Sequence, residues 1–146
     1  MSNISYRPAK AADAGTLQHL LKELGYKVSA SEIGARLTAI RCHGGEVIVA
    51  TLNNDVVGCV HVTIELRMAE GEFGEIASLV VDSRQRGSGI GSGLLEQTRT
   101  WLIDRGLTSL RVRMNTQRER SYAFYSGQGF RDTKTQTVFI SELNAD

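Results

Sequence analysis

Ile76-Ala77-Ser78-Leu79-Val80-Val81-Asp82-Ser83-Arg84-Gln85-Arg86-Gly87-Ser88-Gly89-Ile90-Gly91-Ser92-Gly93-Leu94-Leu95 is the stretch on which the fold turns. Its first six residues are almost continuously apolar, which suits a strand buried on both faces. Its end opens a helix running to about Arg105. Ile90, Leu94, Leu95, Thr98, Trp101 and Leu102 share one face of that helix, and Gly106 stops it. Ser109 to Met114 reads as the next strand. Strand, helix and strand in this order form a parallel crossover, right-handed in nearly all proteins. Between the first strand and the helix, four glycines fall within Gly87 to Gly93. Glycine lets backbone N–H groups converge without a Cβ in a ligand's path. A helix start adds unpaired donors and about half a positive charge. Together these predict a site for phosphate or pyrophosphate.

Upstream, Ile4 to Arg7 is a short strand ending before Pro8. Asp13 to Leu24 is helical, with Leu17, Leu20, Leu21 and Leu24 as its stripe and Gly25 as its stop. A second helix spans about Ser31 to Cys42 behind a capping box of Ser29 and Glu32. Glu46 to Leu52 and Val56 to Leu66 form a hairpin about Asn53-Asn54-Asp55, and Gly74 to Val81 is a third long strand. Downstream, roughly Ser121 to Ser126 is a short helix and Thr133 to Ile140 a last strand. The fold class is therefore α/β: a mixed, largely antiparallel central sheet flanked by helices on both faces, with one parallel strand–helix–strand crossover carrying the glycine loop.

The 146 residues suit a single domain over 1–146. With 17 Lys+Arg against 16 Asp+Glu, the net charge of +1 argues against nucleic acid or an anionic membrane as the partner. Cys42 and Cys59 make neither a disulfide framework nor a metal site and read as reduced, semi-buried thiols. His19, His43 and His61 share no ligand spacing, so no metal is expected, and mid-strand His61 reads as a hydrogen-bonded structural histidine. The start of the chain carries no secretory pattern and no stretch reaches about 18 apolar residues, so a cytoplasmic protein is expected.

Three known glycine loops compete for Arg86 to Gly93. The nucleoside triphosphate loop needs Lys-Ser/Thr after its last glycine, whereas Gly91 precedes Ser92-Gly93. The dinucleotide fingerprint fails at its third glycine, where Ser92 or Leu94 stands. Arg86-x-x-Gly89-x-Gly91 resembles instead the coenzyme A loop of the GNAT superfamily of N-acetyltransferases, Gln/Arg-x-x-Gly-x-Gly/Ala. Leu79-Val80-Val81-Asp82 before it, Asn115 after the next strand, Phe124-Tyr125-Ser126-Gly127-Gln128-Gly129-Phe130 and the opening Ile4 to Asp13 are similar to that family in the same order. The stretch Arg113 to Phe130 also resembles members that acetylate small aminoalkylphosphonates.

The resemblance implies an acetyl-CoA-dependent N-acetyltransferase acting on a primary amine of a small molecule. It assigns the pyrophosphate to the backbone of Arg86, Gly87, Ser88, Gly89, Ile90 and Gly91. It places the pantetheine arm as an extra strand along Leu79 and Val81, with an oxyanion donor near Leu79 or Val80, and has Asn115 hydrogen-bond the pantetheine or the substrate. Tyr125 is the implied acid for the leaving thiolate, with Tyr122 as a weaker substitute. Glu75, eleven residues before Arg86, is the implied base, with Glu72 and Glu65 as alternatives. An acid on an apolar strand has its pKa raised by desolvation, which suits a base. Arg111 and Arg113 share a strand face that meets coenzyme phosphate, an acidic substrate or solvent. The acceptor cleft is expected between Gly25 to Ser31, Arg67 to Phe73 and the final strand, with nearby carboxylates favouring a cationic amine. A homodimer is common among such proteins. The other readings are a peptide or protein amine acetyltransferase, and an acetyl-CoA-binding sensor without turnover.

Overall fold

The computed structural model describes residues 3–144, which fall into two compact units divided between Arg113 and Met114. The first holds one five-stranded sheet in the order β1-β2-β3-β4-β5. Its strands are β1 (Ile4–Pro8), β2 (Glu46–Leu52), β3 (Asp55–Arg67), β4 (Gly71–Val81) and β5 (Leu110–Val112). The first four pair antiparallel, and β4 and β5 pair parallel. Pro8 closes β1 rather than following it, paired with Ile48 on the sheet edge, where a missing N–H is tolerated. Asn53 and Asn54 take φ values of 50° and 73°, the left-handed geometry that a tight hairpin between β2 and β3 requires.

Helices cover both faces. Helix α1 (Ala14–Glu23) and helix α2 (Ala30–Cys42) bury Leu17, Leu20, Ile33 and Leu37 against Val47, Val49, Cys59 and Val80. The capping box is present, with Glu32 N–H donating to Ser29 Oγ at 3.0 Å and Ser29 N–H donating to Glu32 Oε1 at 3.2 Å. A 3-10 turn at Ala11–Asp13 leads into α1, tied to β1 by a two-pronged Arg7–Asp13 pair at 2.8 and 3.0 Å. Helix α3 (Ile90–Ile103) lies on the opposite face, with Ile90, Leu94, Leu95, Thr98 and Leu102 buried and Trp101 half-buried beneath the Arg105 guanidinium. Truncating Leu94 or Leu95, both wholly buried, to alanine removes about 2–5 kcal/mol of stability. A Cβ on Gly93 would stand 1.7 Å from Tyr6 Oη, so the approach of α3 to β1 depends on that residue lacking a side chain.

The second unit carries α4 (Glu119–Gly127). The strand expected at Thr133 to Ile140 is absent: residues 130–144 have no regular structure, and Val138, Phe139 and Ile140 are exposed. A run rich in Thr, Val, Phe and Ile favours a pleated surface, but it becomes a strand only beside a neighbour that completes its backbone hydrogen bonds. Local pattern alone did not supply that neighbour.

Candidate active site

Strand β4 is two strands in one. From Gly71 to Ile76 it is paired to β3, and Gly74, Glu75 and Ile76 also meet Leu110, Arg111 and Val112 of β5. Pairing with β5 stops there, while pairing with β3 runs on through Ser78, Leu79, Val80 and Val81. Ala77 is the extra residue of a bulge, because Val62 faces Ile76 and His61 faces Ser78. Among the described residues, Ala77 to Val81 therefore have no strand partner on the β5 side. An unpaired edge of this kind is what an extended ligand needs in order to add itself to a sheet.

The open edge runs directly into the glycine loop. Asp82 N–H donates to Val57 O at 2.8 Å, and the Asp82 carboxylate accepts from Arg84 N–H at 3.0 Å and from its guanidinium at 3.2 and 2.8 Å. Those bonds, the guanidinium's above all, hold the Asp82 carboxyl down at about 2. After this anchor, Gly87 and Gly89 adopt φ values of 81° and 85°, which a residue with a Cβ rarely reaches. Nothing lies within 4 Å of where a Cβ would stand on either, so the loop's outer side is open. Gly89 caps α3, and its carbonyl accepts the first helical bond, from Gly93 N–H at 3.0 Å. The Ile90 and Gly91 amides therefore lie in the first turn, ahead of the helical ladder.

A cavity of about 370 Å³ opens on the other side of the sheet, beneath α1 and α2. Leu21, Ile33, Leu37 and Val47 supply its apolar wall; Tyr26, Lys27 and Arg36 line it from the helix side, and His61, Ala77 and Ser78 from β3 and β4. Burial lowers the His61 pKa, so the ring is neutral at pH 7, and its shielded Nε2 has no hydrogen-bond partner among the described residues. The hydrogen-bonded structural histidine expected at this position is not what Nε2 shows. Cys59, on the same wall, is buried and its thiol is pushed up to about 12. Cys42 is exposed rather than semi-buried, and both cysteines are free.

A model of the acetyltransferase (GNAT) family matches residues 16–130. The chain belongs to that family. Enzymes of the GNAT family transfer acetyl groups and generally use acetyl-CoA. A protein named IAA acetyltransferase from Azospirillum brasilense is 33% identical over 85 residues, which are 58% of this chain and 54% of that protein, so the match spans about half of the relative's length. Among solved structures, an aminoglycoside antibiotic 6'-N-acetyltransferase from Acinetobacter haemolyticus superposes with a TM-score of 0.82 at 16% identity, over 96% of this chain and 99% of that one. Glucosamine-6-phosphate N-acetyltransferase from Arabidopsis thaliana gives 0.81 at 21% identity, over 96% and 99%. At these identities the two structures establish the shared GNAT fold.

Within the first unit, the GNAT frame brings Leu79, Val80 and Val81 onto the open edge and sets the loop Arg86 to Gly91 at its end. Glu75 lies on the other half of β4, where its largely buried carboxylate is ion-paired to Arg113 at 3.1 Å, and it is not part of the cavity wall. Arg111 stacks on the Phe73 ring at 3.8 Å and pairs with Glu70. Both arginines of this face thus hold carboxylates of their own unit. The cavity takes its entrance from Tyr26, Lys27 and Val28 as expected, but the Arg67 to Phe73 loop does not line it.

Asn115 and Tyr125 belong to the second unit. Asn115 Oδ1 accepts from Gln117 N–H at 2.9 Å, a local turn. Tyr125 lies in α4 with its ring edge-on to Phe124 at 5.2 Å and to Phe130 at 5.4 Å, and burial raises its pKa. The phenol is therefore protonated at neutral pH, as a proton donor must be. Of the residues lining the cavity, Arg36 was passed over in the sequence and His61 was read as structural alone. Two-residue alternation from the apolar Cys59 was the one local sign that His61 faces the same side.

Proposed function

We propose that this chain is a single acetyltransferase domain over 1–146 that moves the acetyl group of acetyl-CoA directly onto a primary amine of a small molecule. The observation that carries this reading is the unpaired edge Ala77 to Val81 leading into a loop with two left-handed glycines and a helix start. Along that edge the pantetheine amides pair with Leu79 and Val81, while the amides of Arg86 to Gly91 hold the pyrophosphate, helped by the α3 dipole. A backbone N–H near Leu79 or Val80 receives the oxyanion. Asn115 contributes a hydrogen bond to the pantetheine or to the acceptor. Both free thiols accord with a reducing, cytoplasmic setting.

The chemistry requires two proton movements. An alkylammonium, with a pKa near that of lysine at about 10.4, loses a proton before its nitrogen can attack the thioester carbon. Glu75 is the base in this scheme, reached by release from Arg113 or through water. The tetrahedral adduct carries two N–H protons; one leaves as the C–S bond breaks, balancing the proton that Tyr125 gives to the thiolate, and the other stays on the amide. The cavity beneath α1 and α2 takes the amine.

Isothermal titration with acetyl-CoA and a free-thiol release assay over a panel of amines test this. Heat of binding and amine-dependent thiol release are the expected results. Heat with no release on any amine favours the sensor reading, and no heat overturns both.

A further inference from the structure

The charge lining the cavity is opposite in sign to the one that the sequence's carboxylates suggest. Its ionisable lining groups are Tyr26, Lys27, Arg36, Cys59 and His61, with no aspartate or glutamate among them. Of these, the thiol and the imidazole are neutral at pH 7 because burial disfavours their charged forms. The fixed charges on the wall are thus the two cations, Lys27 and Arg36. Arg36 has Glu32 beside it at 3.2 Å on the exposed face of α2, while Lys27 has no ion-pair partner among the described residues. A diamine or polyamine in this cavity would set its second ammonium against like charge, with nothing to offset the loss of water.

We propose that the acceptor is a primary amine with an apolar body and a carboxylate, the carboxylate at Lys27 and Arg36 and the amine at the His61, Ala77 and Ser78 end. This rests on the acetyl-transfer reading above and gives its acceptor a chemical class. The cavity's own layout orders the three parts. The cations belong to the helix side, and the apolar wall of Leu21, Ile33, Leu37 and Val47 holds the body. The β4 wall at Ala77 and Ser78 is the start of the open edge along which the thioester would lie.

Steady-state kinetics on the full chain with phenylalanine, phenethylamine and 1,5-diaminopentane as probes tests the class. The expected order in kcat/KM places phenylalanine roughly tenfold or more above the other two. Lys27→Glu, on an exposed loop, is expected to lower kcat/KM for phenylalanine roughly tenfold and to raise that for the diamine. A wild-type preference for the diamine or for phenethylamine overturns the proposal, as does a Lys27→Glu variant with the wild-type ranking. Titration with N-acetylphenylalanine reads the cavity without turnover: heat that Lys27→Glu abolishes supports the proposal, and no heat overturns it. Failure to bind acetyl-CoA strikes the acetyl-transfer reading instead, so the two are separated.

Discussion

The two halves of β4 differ in what they are paired to, and the difference divides structure from chemistry. From Gly71 to Ile76 the strand is held by β3, at its end also by β5, and braced by the Glu75–Arg113 ion pair. From Ala77 to Val81 it keeps β3 and loses β5. The bulge at Ala77 marks the border. One continuous strand is therefore paired on both sides at one end and leaves an unpaired edge at the other. Residues on the first half are expected to govern stability, and those on and beyond the second half to govern ligand affinity.

Gly89→Arg is the strongest way to break that contrast. It puts a side chain at a φ of 85° and fills the open side of the loop. Losing one or two amide–phosphate bonds weakens acetyl-CoA binding roughly hundredfold by titration calorimetry, and unimpaired affinity would contradict the loop's role. Tyr125→Phe removes the proposed proton donor and is expected to lower kcat roughly ten- to hundredfold with little change in acetyl-CoA affinity. An unchanged kcat in pre-steady-state and steady-state assays removes Tyr125 from the chemistry.

Glu75→Gln sharpens the comparison, because Glu75 sits on the braced half. As the base, its loss lowers kcat roughly tenfold or more with little change in acetyl-CoA affinity. A lowered Tm with an intact kcat would assign it wholly to the brace with Arg113. The smallest effect is the acid response. Asp82 titrates at about 2 in the folded chain, below the usual aspartate value of about 3.9. A depressed carboxyl stabilises the fold above its unfolded pKa, and that contribution fades as pH falls from about 4 towards 2. Asp82→Asn is expected to flatten this part of an acid-unfolding curve, and an identical curve would show that the Arg84 contact contributes nothing.

How much of this was legible beforehand depended on how local each signal was. The α2 start was readable because Ser29 and Glu32 cap it within one turn. The crossover and its loop were readable because an apolar run, spaced glycines and an amphipathic helix lie next to each other in the chain. Thr133 to Ile140 is not the strand its residue types favour, because strand formation needs a remote partner that the segment's own composition cannot specify. The cavity's lining was not legible for the same reason. Glu23, Glu32, Glu65, Glu70, Glu72 and Glu75 lie in or beside the segments expected to wall the cleft, but the cavity wall omits them all, and Glu32, Glu70 and Glu75 are paired to arginines.

The unequal cysteines give the molecule a built-in attachment point. Thiolate is the form that alkylates, and a thiol titrating at about 12 in the core offers almost none at neutral pH. Cys42 is exposed at the last residue of α2, the helix whose inner side walls the cavity. A maleimide fluorophore added to the native chain therefore attaches at one position without any engineered substitution, and it reports on the helix that walls the cavity.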